Sequence, residues 1–167
     1  MQLKGLIYGF SRQVKMLIGA FLIVLSIGFY GSLRFVNLNT NATPQGIEEN
    51  YLGNENDEDA TVMKFKKSER EILTIIHGHM LSLSVIFLLL GVLVAMTNLS
   101  DKWQTYIMLE PFVSILLTFG GIYFLWKGHL WCKYVIVISG ILMTLSFLAG
   151  TCSVFYALLK PSRSENI

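Results

Sequence analysis

Four long apolar blocks separated by short polar stretches set the pattern of this chain. The first covers 16–36, behind a short segment that carries Lys4, Arg12 and Lys15. A cleavable signal peptide begins in the same way, but its apolar region is only about 7–15 residues long and is followed by an Ala-x-Ala-like site. This block is longer and ends in Gly31, Ser32, Leu33 and Arg34, so a retained transmembrane helix is expected. The second block, 70–97, is introduced by Ser68, Glu69, Arg70 and Glu71, a capping box with Ser68 as N-cap and Glu71 reaching back to it. The third, 105–126, is interrupted near its start by Glu110 and Pro111, and the fourth, 134–159, closes before Lys160 and Pro161.

A helix rises about 1.5 Å per residue and a bilayer core is about 30 Å thick, so each block is long enough to span. The expected fold is all-α: an integral-membrane four-helix bundle, up-down-up-down, forming one transmembrane domain over 1–167 without internal repeats. Residues 37–67 are the sizeable polar stretch and are read as an outer loop. Connections of that length are usually functional or disordered, and Tyr51, Leu52 and Gly53 give this one something apolar to dock. The run Glu55, Asn56, Asp57, Glu58, Asp59 lacks the residue order and glycine turn of a calcium loop and reads as solvated acid.

Composition narrows the class further. Of the 167 residues 53% are hydrophobic and 14% charged, against about 25% charged in a soluble domain, which excludes a soluble monomer. The net charge is +2 and the basic residues are scattered, so nucleic acid is not an expected partner. Cys132 and Cys152 lie about 30 Å apart along one helix, too far to bridge each other. No nucleophile–base pair, phosphate loop or zinc spacing is present, which leaves soluble-type hydrolytic catalysis without a foundation in the sequence.

Basic residues hardly distinguish the two membrane faces. Eight of the eleven acids, however, lie in or beside 37–67, and that asymmetry favours cytoplasmic termini in a bacterial inner membrane. In the alternating topology Arg34, His77, His79, Trp126, Lys127, His129, Trp131 and Cys132 gather at the outer face, whereas Glu110 lies towards the opposite one.

Intramembrane ionisable groups are costly and mark functional sites by default. His77 and His79, two residues apart on a helix, point to opposite sides and are assigned separately. At heptad spacing His77 aligns with Ser84 and Gly91, a small and polar stripe suited to close helix contact, and is the better inward candidate. Either histidine is a candidate metal ligand or axial ligand to a b-type haem, with His129 or Met143 as the second ligand and Arg34 neutralising a propionate. The bland alternative places both imidazoles in the polar interface. Glu110 reads either as a membrane-buried carboxylate at a kink or as the neighbour of Pro111 at the first turn of a short helix.

The pattern Met63, Lys64, Phe65, Lys67, Ser68, Glu71, Leu73, His77, His79, with Glu49, Tyr51 and Gly53 before it and Glu110–Pro111 after it, resembles uncharacterised small bacterial membrane proteins. These have four helices and an H-x-H pair opening the second, and the likeness implies no established activity. Residues 16–95 also resemble the first two helices of haem-copper oxidase subunit I, through Ile75-x-His77-Gly78. That likeness implies a haem ligand at His77 and nothing of the copper site. Two functions are therefore carried forward. One is a membrane protein holding a haem or metal cofactor near its outer face, in respiratory or assembly work. The other is a non-catalytic scaffold or sensor whose acidic outer loop contacts a partner. The lipid bilayer, and other membrane-protein subunits, are the expected partners.

Overall fold

The computed structural model describes residues 3–55 and 62–160. The acidic positions Asp57, Glu58 and Asp59, and Pro161 after the last helix, lie outside them. The described residues contain no strand. Helices α1 (Arg12–Thr40), α2 (Pro44–Leu52), α3 (Glu69–Ala95), α4 (Asp101–Trp126) and α5 (Cys132–Leu159) follow a short 3-10 turn at Leu6–Gly9. Four of them, α1, α3, α4 and α5, are long and apolar enough to cross a membrane, as the block pattern predicts.

Local chemistry sets the helix ends. Ser11 caps α1, and Ser68 and Glu71 complete both halves of the capping box that opens α3. At the other end of α1, Asn41 and Ala42 take positive φ values of 51°. This corner turns the chain straight into α2, where Thr43 Oγ1 accepts the Gly46 N–H at 3.0 Å and Pro44 supplies a preset first turn. Residues 37–67 therefore contain a nine-residue helix, α2, where the sequence reading expects loop throughout.

The start of the third span differs from the sequence reading that put Pro111 in its first turn. Helix α4 begins at Asp101, and Pro111 is buried in its interior. A proline inside a helix forfeits one backbone bond, here the one that would reach the Ile107 carbonyl. Polar residues make up the added first turns, and they are used: Gln104 Nε2 donates to the Val94 and Ala95 carbonyls at 2.9 and 3.1 Å, closing the end of α3. The N-terminal segment covers the same face, with the Gly5 N–H on Met96 O at 3.1 Å and Lys4 paired with Asp101 at 2.5 Å.

Helix α4 is the most enclosed of the four spans: 44% of its most apolar stretch is buried, against 6% for α1. It runs antiparallel to both neighbours. The Thr118–Ser139 hydroxyl bond (2.7 Å) and the contact of Gly150 with Ile107 fix its register on α5. His79 against Phe119, and Gly91 against Met108, fix its register on α3. Phe147 of α5 stacks on Phe29 of α1 (3.9 Å between centroids) and meets Phe87 of α3 edge-on at 6.3 Å, tying three helices together.

Candidate functional site

Two places bring together the residues singled out by the sequence. The first is the face where α1 ends, α3 begins and the α4–α5 turn lies. His77 is exposed there, in a shallow hollow with Glu69, Arg70, Leu73 and Thr74. The expected inward stripe of His77, Ser84 and Gly91 is not the packed one. Ile72, Phe87, Leu90 and Val94 form the buried side of α3, and at 100° per residue His77 lies about 140° round the helix from Ile72.

His79 is exposed as well, but its imidazole turns towards a neighbour. Its ring lies over Phe119 with centroids 5.3 Å apart and planes inclined by 27°. Its Nδ1 meets the Ile75 carbonyl at 2.8 Å; a carbonyl only accepts, so Nδ1 carries the hydrogen of this bond. His129 is exposed in the α4–α5 turn, edge-on to Phe124 at 6.0 Å, and Arg34 is exposed on α1. Among the described residues no group of three or more His, Cys, Asp or Glu is placed to hold a metal ion. The first hypothesis required His77 in an interhelical cavity with a second ligand near it, and its exposed position does not meet that requirement. Cys132 is buried, Cys152 exposed, and both are free.

This face is organised instead as a cap. Helix α2 and the strap leading to α3 are bolted to the ends of α4 and α5. Lys133 pairs with Glu48 at 2.6 Å, and Trp126 Nε1 donates to Lys67 O at 2.8 Å. Lys127 lies 4.6 Å from the Trp126 ring centre and Lys66 5.4 Å, both cation–π distances. Burial within the cap pushes the Tyr51 phenol up to about 12.

One residue closes the base of the acidic stretch. Asn54 donates through Nδ2 to Val62 O (3.0 Å), accepts the Lys64 N–H on Oδ1 (2.6 Å), and sends its own backbone N–H to Lys64 O (3.0 Å). Gly53 makes this possible with φ 85°; a Cβ there would lie 2.8 Å from Lys66 N. The sequence reading found the apolar docking residues Tyr51 and Leu52 but not the helix or the clasp. Thr43 before Pro44, and Gly53 nine residues further on, were the available start and stop signals.

The second place is the α4–α5 seam. Ser114 Oγ donates to Glu110 Oε1, while Glu110 Oε2 is buried and finds no hydrogen-bond partner among the described residues. The hydroxyls of Ser146 and Thr151 on α5 are likewise buried and unpartnered.

Residues 41–165 match the family Aq_1264_TM, a transmembrane helical domain. The chain belongs to this family. The Aq_1264_TM match takes in α2, the clasp and α3 to α5, and leaves out α1, the span with the least burial. It establishes a multi-pass membrane protein in contact with lipid. No curated protein and no solved structure matches the chain.

Proposed function

We propose that this protein is a non-catalytic membrane scaffold or sensor module whose acidic outer stretch contacts a basic surface on a partner, such as another membrane-protein subunit. The clasp at Asn54 carries this reading. A slack linker would leave the ends of the acidic stretch apart, whereas here one side chain draws Asn54, Val62 and Lys64 together on a cap bolted to two spanning helices. Such a base holds Asn54, Val62 and Lys64 in place before any encounter, which lowers the entropic cost of binding. The acidic residues of this stretch speed the approach of a cationic partner by steering. In this proposal 1–167 acts as one domain in a bacterial inner membrane, with both termini cytoplasmic and the cap outside. The exposed setting of His77 favours this reading over an axial haem ligand at that position.

The test is site-specific photocrosslinking in native membranes, with the crosslinker at Glu55. A discrete adduct is expected that disappears when Asp57, Glu58 and Asp59 are changed to Asn or Gln, and that weakens at high salt. An adduct indifferent to charge and salt overturns the reading. So does a Soret band in purified protein that vanishes in His77→Ala, because it would return the outer face to cofactor chemistry.

A further inference from the structure

Glu110 lies deep within the spanning part of α4. The helix has 26 residues, about 39 Å, and Glu110 is about 14 Å from the Asp101 end and about 24 Å from the Trp126 end. With the roughly 30 Å hydrocarbon layer centred on the helix, the carboxyl lies about 9 Å inside it. None of the ion pairs among the described residues involves Glu110. An ionised carboxylate without a counter-ion at that depth is far costlier than the neutral acid.

The neighbouring chemistry consists of oxygen atoms. Ser114 holds Oε1 and leaves Oε2 buried and free. Pro111 removes the N–H that would bond the Ile107 carbonyl. Across the seam, counting inward from the Thr118–Ser139 bond and the Ile107–Gly150 contact puts Ser146 level with Pro111. Its hydroxyl is also buried and unpartnered, in a residue only 3% exposed. Buried polar groups in native proteins are ordinarily satisfied. Two orphans at one level of one seam, beside a carbonyl freed by proline, therefore point to a ligand.

We propose that Glu110 is a proton-binding site inside the membrane. On uptake an O–H bond forms at Oε2 and the carboxylate becomes the neutral acid; on release that bond breaks and the proton leaves, with no electron transfer. Ser114 keeps Oε1 in place in both states. Among the described residues Tyr30 of α1, the neighbour of the Phe29 that stacks on Phe147, is the other titratable side chain at this level, and it is exposed. At this level α3 buries Phe87 and Leu90, and its nearest titratable group, His79, is about 14 Å further along. Cys152 of α5 is exposed, Tyr106 is one turn away on α4 itself, and Glu48, Glu49 and Tyr51 of α2 belong to the far end.

The experiment uses the full chain in liposomes and dicyclohexylcarbodiimide, which attacks the protonated form of membrane-buried carboxyls, with the adduct located by peptide mass spectrometry. Labelling is expected at Glu110, weaker at about pH 9 than at about pH 6 because the reagent needs the acid form, and unchanged by added sodium or potassium. Labelling that is flat across this range, or absent throughout, overturns the proposal. Protection by sodium at constant pH also overturns it and makes the oxygen cluster a metal-cation site. The wild-type readout does not depend on any variant folding.

Discussion

Glycine 46 is where the cap meets the membrane helices most closely. A Cβ built there would lie 1.9 Å from the Thr40 carbonyl oxygen and 2.6 Å from its carbon, both backbone atoms. Real Cβ atoms essentially never come within 3.0 Å of a neighbour, so Gly46→Ala has to open the α1–α2 corner by about 1.1 Å, the smallest shift that restores normal contact. Overpacking of this kind costs about 1–3 kcal/mol. The upper part of that range applies because no side chain can swing aside to relieve the clash. With about 1.4 kcal/mol per tenfold, a loss of about 2–3 kcal/mol confined to the cap speeds amide exchange in 41–53 by about 30- to 150-fold. Hydrogen exchange with mass spectrometry reads this directly, with peptides from α4 as the internal reference. Gly28→Ala is the matched control, because a Cβ there meets nothing within 4 Å. Exchange in 41–53 within about threefold of wild type, or an equal rise throughout α4, would refute the reasoning, since local openings report local free energies.

Two further expectations follow from the outer face. His79→Ala removes the ring that lies over Phe119 and lowers stability by about 0.5–1.5 kcal/mol, whereas His77→Ala stays within about 0.5 kcal/mol; unfolding in mixed micelles compares them, and a larger loss for His77 would reverse the assignment of the inward side. Tyr51 governs alkaline behaviour. Its folded phenol ionises near 12 instead of the usual 10.0, so between those values the unfolded chain loses its proton first. Cap stability is then intact below about pH 10 and declines as pH rises towards about 12. Tyrosinate absorbance should show one late-ionising phenol that Tyr51→Phe abolishes, and ionisation of that group together with the rest would contradict its burial.

The spans were legible because a bilayer demands long apolar runs and closes every backbone bond within the helix. What escaped the sequence was angular and local. His77 was placed inward by a small-residue stripe, yet α3 packs through its bulky residues Ile72, Phe87, Leu90 and Val94; which side of an almost uniformly apolar helix faces its neighbours is weakly encoded. Helix α4 starts four residues before the 105–126 span because Asp101, Lys102 and Gln104 lower the local hydropathy while continuing the helix. Helix α2 was hidden in polar composition despite its Thr43–Pro44 start. Glu110 was legible as a candidate buried carboxylate, but not against the alternative in which Pro111 opens the helix, because depth depends on where the helix begins.

The Asn54 clasp also separates the length of the acidic stretch from the integrity of everything beneath it. Since the bonds from Asn54 to Val62 and Lys64 already hold the two ends together, added residues would bear only the slow logarithmic cost of a larger loop, about 0.6 kcal/mol per doubling. The segment between the clasp residues is therefore the natural insertion point of the molecule. A tag or a small folded domain could be grafted there, or the run could lengthen and shorten between relatives, without disturbing the register of a single membrane helix.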